Sequence, residues 1–205
     1  MKFYVPFDDS VYNNFVRDNS IQSLQTSYNL TSESLVIDGG GYQGEFTEKI
    51  HTKYNCSVHV FEPIKTMFDA LESKFSSNPK IIVNQLGLSN STREDIIYLD
   101  NDGSSLYGEG SFEKIQCIDI SKYLRSNKIQ SIDLLKLNIE GAEFDVIERL
   151  IDQQMISHIK NLQVQFHRFI PDCDIRRSAI HEQLSKTHTL SWNYDWIWES
   201  WSIIE

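Results

Sequence analysis

Four short stretches combine residue types and spacings that can do chemistry. In the first, Val-Ile-Asp38-Gly39-Gly40-Gly41-Tyr42-Gln43-Gly44, glycines 39, 41 and 44 form a GxGxxG between an apolar run and a helical pattern. Glycine there permits a tight turn and lets a ligand reach backbone where a Cβ would collide. The second is Glu62, at the end of the next apolar run, where an acid can accept both hydroxyls of a ribose. Together they imply a ligand containing adenosine, with a plain glycine-rich turn as the competing reading. Local charge then separates two ligand classes. From Asp38 to Glu48 the chain carries Asp38, Glu45 and Glu48 and no Lys or Arg, so a dinucleotide's pyrophosphate, which needs positive or N–H partners, would meet carboxylates. S-adenosylmethionine, with its sulfonium and ammonium, suits these acids. Asp38 is expected to receive the ammonium, directly or through water, and Glu62 the ribose, with Gly39, Gly41, Tyr42 and Gly44 shaping the loop.

The third stretch, Leu134-Leu135-Lys136-Leu137-Asn138-Ile139-Glu140-Gly141, is an apolar run that delivers polar residues at its exit. Alternation puts Lys136, Asn138 and Glu140 on one side. A lysine is costly to bury unpaired, so it is expected to pair with an acid such as Glu140 or to snorkel outward. Glu140 either completes that pair or contacts the donor or the accepting hydroxyl. The fourth stretch, Gln165-Phe166-His167-Arg168, places a histidine at another strand exit. At its ordinary pKa of about 6.5, His167 can take a proton at neutral pH; the alternative is a histidine hydrogen-bonded in the cleft wall. His51, His59, His158, His181 and His188 have no partner spacing and read as surface or packing residues.

These residues need elements to position them, and hydrophobic periodicity supplies the outline. Leu35 to Asp38 reads as a strand, followed by a helix on Tyr42, Phe46 and Ile50. Val58 to Phe61 is the next strand, a helix begins near Pro63 with Met67, Leu71 and Phe75 inward, and Ile81 to Val83 is a third strand. After Gly87 the rhythm changes. Strands at Ile96 to Leu99 and Ile115 to Ile118 flank the polar, glycine-rich segment Asn101 to Ser111, read as a mobile loop whose Ser104, Ser105 and Tyr107 are placed to contact an acceptor. A short helix at Ser121 to Asn127 precedes a strand at Ile132 to Ile139 and a helix on Ala142, Val146, Ile147, Leu150 and Ile151. Ile159 to Phe166 is a strand and Ile175 to Lys186 a helix. Leu190, Trp192, Tyr194, Trp196 and Trp198 then alternate as in an antiparallel hairpin, turning near Asn193 to Asp195. Strands separated by helices imply a mainly parallel sheet with ligands at its carboxyl edge. Asp38 to Gly44, Glu62, Gly87, Leu88, Asn138, Glu140 and His167 all fall there.

The chain has 205 residues, 40% of them hydrophobic and 23% charged, which fits one domain spanning 1–205. Residues 1–34 read as a helical extension carried by Val11, Phe15 and Val16, expected either to cover the acceptor cleft or to mediate a homodimer. Three cysteines without paired spacing point to reduced thiols, with neither a zinc site nor disulfides. The start lacks a secretory pattern and no run approaches membrane-spanning length, so a cytoplasmic protein without membrane insertion is expected. The net charge is -10 and no Lys/Arg cluster forms a stripe. Nucleic acid is therefore not expected as a partner.

In order and spacing, VIDGGGYQGEF, HVFEP, DLLKLNIEGAEFDVIERL and QVQFHRF resemble the FkbM-type S-adenosylmethionine-dependent methyltransferases over roughly Leu35 to Phe169. The resemblance implies a class I methyltransferase (Rossmann-like) three-layer α/β sandwich, a seven-stranded sheet with a terminal antiparallel hairpin, and O-methylation of a sugar, glycan or related small-molecule hydroxyl. By it, Asp38, Gly39, Gly41 and Glu62 contact the donor, with Gly87 and Leu88 on the same edge, and Asn138, Glu140 and His167 line the transfer site. One departure stands out. The family usually carries Asp where this chain has Asn138, and a carboxamide neither takes a proton nor binds a hard cation as a carboxylate does, so metal-independent transfer is expected. Two rivals use the same residues: an NAD(P)-dependent oxidoreductase or sugar epimerase, and a catalytically silent adenosine-binding module.

Overall fold

A computed structural model describes residues 9–98 and 111–204, with backbone alone for 20–22. The candidate acceptor residues Ser104, Ser105 and Tyr107 lie outside the described residues. The extension contributes α1, Asp9–Gln22. Then β1 (Leu35–Gly39), α2 (Glu45–Tyr54), β2 (Ser57–Phe61), α3 (Lys65–Phe75) and β3 (Ile81–Asn84) alternate as the periodicity predicts, except that Tyr42, expected on the helix, precedes it in the glycine loop, exposed and with φ 46°. Three strands follow: β4 (Gly87–Ser89), β5 (Arg93–Tyr98) and β6 (Phe112–Asp119). They form a separate sheet in the order β4-β6-β5. Helix α4 (Ile120–Ser126) starts where the Asp119 side chain accepts the Ser121 and Lys122 N–H groups, an N-cap that satisfies donors with no partner inside the helix. The rhythm resumes with β7 (Leu134–Leu137), α5 (Glu143–Asp152), β8 (Asn161–Val164) and α6 (Cys173–Leu184), and closes with the hairpin β9 (His188–Tyr194) and β10 (Trp198–Ile203). Its turn occupies residues 195–197, two residues later than the alternation suggested, because Trp196 leaves the pattern with a φ of 59°.

The main sheet has seven strands in the order β3-β2-β1-β7-β8-β10-β9. It is parallel from β3 through β8 and antiparallel at the hairpin. Consecutive strand residues feed opposite faces: Val36 and Leu134 enter a core with Ile50, Val58, Leu71 and Phe75, while Ile37 and Leu135 enter one with Phe144, Ile147, Leu150 and Leu184. Two cores on a fully covered sheet make a three-layer α/β sandwich. The chain proceeds outward from β1 on one side and from β7 on the other, so a crevice opens at their carboxyl ends, where open α/β sheets bind ligands.

Candidate active site

At that crevice the glycine loop folds back on its own sheet. Gly40 and Gly41 N–H groups both donate to the Phe61 carbonyl at 3.0 and 3.1 Å, and Gly44 N–H donates to Gly41. Tyr42 N–H donates to Glu62 Oε2 at 2.9 Å. These four N–H groups are therefore spent inside the protein and are not offered to a pyrophosphate. The tightest glycine is Gly40, outside the GxGxxG triplet: its φ is 82° and a Cβ would strike the Asn138 carbonyl. Gly41 and Gly44 serve packing instead, their missing side chains making room for Val60, Leu71 and Phe75.

Glu62 is aimed by its own neighbours. Oε2 takes the Tyr42 N–H, and Oε1 takes Ile64 N–H at 3.0 Å. The side chain is nearly buried. Burial pushes its carboxyl up, opposed by the Ile64 and Tyr42 N–H groups. Each oxygen keeps a further lone pair, so the carboxylate can accept two more hydroxyl donors.

Asp38 lies beneath the loop. It is fully buried, with Oδ1 paired to Lys136 Nζ at 2.8 Å and Oδ2 accepting Thr47 Oγ1–H at 2.6 Å. Buried and paired through both oxygens, it acts on the loop from beneath. Lys136 pairs with Asp38 rather than Glu140, because β1–β7 register sets the two side by side. Its ammonium also donates to the Gly39 and Gly40 carbonyls at 3.1 and 2.8 Å, pinning the loop by backbone. The polar file continues along the sheet. Lys136 neighbours Gln163 on β8, which neighbours Ser200 on β10, and Tyr28 of the extension bonds both, at 2.7 Å to Gln163 Oε1 and 3.2 Å to Ser200 Oγ.

The β7 exit gathers the rest. Asn138 N–H donates to Gly39, but its Oδ1 is buried without a hydrogen-bond partner among the described residues. Glu140 turns outward with φ 54°, and Gly141 has φ 107°. Glu143, absent from the sequence reading, is fully buried. Its Oε2 accepts Gly141 N–H at 2.9 Å, and its Oε1 accepts the His167 backbone N–H at 3.0 Å and contacts His167 Nδ1 at 2.7 Å. His167 Nε2 faces Glu140 Oε1 at 3.5 Å, and the Glu140 side chain keeps 33% exposure. Burial alone would push the imidazole down, but Glu143 and Glu140 more than reverse this and push it up to about 10. Between these two carboxylates His167 is held toward its protonated form, which works against its taking a proton as an ordinary neutral base would.

Asp38, the loop, Glu62, Asn138, Glu140 and His167 therefore meet at one edge. Gly87 opens β4 beside Cys117, and Leu88 is a core residue packed toward Gly39. Among the described residues, no three His, Cys, Asp or Glu side chains are grouped to hold a metal, and no helix is long and apolar enough to cross a membrane.

A seven-stranded sheet in this order, with a reversed terminal hairpin and its site at the β1/β7 crevice, is the class I methyltransferase fold. The chain belongs to the methyltransferase FkbM domain family, matched over residues 38–186. No curated protein matches it in sequence. Among solved structures it is similar to a putative rRNA methylase from Clostridium thermocellum, at 8% identity and a TM-score of 0.55, covering 98% of this chain and 99% of that one. It also resembles the METTL16 methyltransferase domain, at 10% identity and TM-score 0.53, covering 98% of this chain and 70% of the other. These likenesses are of fold. They nonetheless correct the expectation that nucleic acid is no partner, because a chain of this architecture and length is described as a putative rRNA methylase. Net charge governs long-range encounter, not what a cleft admits.

Proposed function

We propose that the chain is an S-adenosylmethionine-dependent O-methyltransferase, one domain over 1–205 acting in the cytoplasm, whose acceptor is a sugar hydroxyl on a small molecule or glycan. The observation that carries the donor assignment is the state of the glycine loop. Its N–H groups at 40, 41, 42 and 44 are already satisfied, which disfavours a dinucleotide. The acceptors left over, Glu62 and the orphaned Asn138 Oδ1, fit a ligand that brings donors, as the ribose hydroxyls and ammonium of S-adenosylmethionine do. When bound, that cofactor supplies an electrophilic methyl group. Glu62 holds the ribose, Asn138 takes an N–H donor in place of the occupied Asp38, and the loop backbone shapes the floor.

The remaining work is alignment and proton removal. As the acceptor oxygen takes the methyl group, its proton becomes strongly acidic, so a carboxylate suffices to receive it. Glu140, the partly exposed acid at the strand exit, is that receiver. His167, held cationic by Glu143, steadies Glu140 by charge. Asn138 offers a carboxamide where a second acid would stand, which supports transfer without a metal.

Titration with S-adenosylhomocysteine and with NADH tests the donor, and labelled methyl transfer into sugar nucleotides, glycans and short RNAs tests the acceptor class. S-adenosylhomocysteine is expected to saturate the protein, with Glu62→Gln weakening it about tenfold or more, the scale of a hydrogen bond to a charged group. Saturation by NADH alone would refute the donor, and labelling of RNA alone would refute the acceptor class.

A further inference from the structure

Seven arginines occur in the sequence. Arg17, Arg93, Arg125, Arg149, Arg176 and Arg177 each hydrogen-bond a side-chain oxygen. Arg168 is the exception. Half-buried and directly after His167, its guanidinium meets no hydrogen-bond acceptor and no carboxylate among the described residues. What it does meet is an aromatic ring: its central carbon lies 5.0 Å from the centroid of Trp196.

That ring is firmly placed. Trp196 is buried in the hairpin turn with φ 59°. Because β10 runs antiparallel to β8, with Glu199 opposite Val164, the turn reaches past the carboxyl end of β8, to the edge that carries His167. A second guanidinium, that of Arg177, lies 4.6 Å from the same ring. Arg177 is neutralised by Glu199 and Asp195, each at 2.6 Å, whereas no carboxylate among the described residues neutralises Arg168. A guanidinium against an aromatic face keeps its N–H edge open, and that fork matches a carboxylate or phosphate bidentately. In a chain of net charge -10, one anchored cation beside the transfer site would offset the repulsion an anionic acceptor meets on approach.

We propose that Arg168, anchored on Trp196, binds an oxyanion carried by the acceptor, so that the acceptor is an anionic sugar: a sugar phosphate, including a sugar nucleotide, or a uronic acid. A single fork suits one such group. This deepens the methyltransferase reading and rests on it for the acceptor's role, though the anion site can be tested alone.

The test measures binding of glucose 1-phosphate, glucuronate and methyl glucoside to the full chain, with and without S-adenosylhomocysteine, for wild type, Arg168→Gln and Arg168→Lys. At least one charged sugar is expected to bind about tenfold tighter than the neutral glycoside, the scale of charge-assisted hydrogen bonding. The stronger of the two charged sugars identifies the oxyanion. R168Q is expected to erase the preference while leaving S-adenosylhomocysteine affinity within about twofold, and R168K to retain part of it as a point charge. No preference in wild type, or a preference that survives R168Q, overturns the proposal. So does a short oligoribonucleotide that binds tighter than either charged sugar. If S-adenosylhomocysteine fails to bind while R168Q still abolishes an anion preference, the methyl-transfer reading falls and the anion site stands.

Discussion

The His167 ion pair makes a prediction that needs no knowledge of the acceptor. The imidazole is pushed up to about 10 by Glu143 and Glu140, against about 6.5 in an unfolded chain. A group with a raised folded-state pKa contributes stability that is complete below its unfolded value and is lost as pH rises through its folded value. At about 1.36 kcal/mol per pH unit, that interval amounts to about 5 kcal/mol. The perturbation is His167→Gln, which cannot titrate. Urea unfolding of wild type and variant from about pH 6 to about pH 10 should show the wild-type advantage shrinking by about 1.4 kcal/mol per pH unit above 6.5. Glu143→Gln should flatten the same slope, and at low pH should cost about 3–5 kcal/mol, the scale of breaking a buried pair. An advantage that stays constant within about 0.5 kcal/mol across the range would mean that His167 is neutral, and proton removal would return to the imidazole.

Two further outcomes follow from the loop. Asp38→Asn strands the Lys136 ammonium in the core and is expected to destabilise by about 3–5 kcal/mol, with the Asp38→Asn, Lys136→Met double variant recovering much of that loss in the same urea titration; a double variant no better than the single would sink the pairing argument. Gly40→Ala, which forces a Cβ against the Asn138 carbonyl at positive φ, is expected to cost more than about 1 kcal/mol and to weaken S-adenosylhomocysteine binding measured by calorimetry. Gly39→Ala, opposed mainly by the adjustable Leu137 and Leu88 side chains, should do less on both counts.

The periodic parts of the fold were legible in the sequence because strand and helix periods are local. Val36/Ile37 and Leu134/Leu135 announce a sheet covered on both faces, and the Trp-rich alternation announces the hairpin. What escaped depended on register. Lys136 and Glu140 share a side along one strand, but the partner is Asp38, brought alongside by β1–β7 pairing ninety-eight positions away. Glu143 stands in the first turn of α5, where an acid needs no special explanation; its bonds to His167, beyond β8, join residues 24 positions apart. The hairpin turn was misplaced because Trp196 continues a hydrophobic alternation that its backbone abandons. Asn138 was visible as a departure from the family pattern, yet its orphaned oxygen could be recognised only once Asp38 was found occupied.

The polar file from Asp38 through Lys136 and Gln163 to Ser200, closed by Tyr28, gives the amino-terminal segment a stake in the opposite end of the sheet. A shortened chain beginning after Tyr28 would keep every described strand and still lose the hydroxyl that bonds Gln163 and Ser200. Grafting this sheet edge onto another scaffold would accordingly call for carrying Tyr28 with it, so that both contacts are kept.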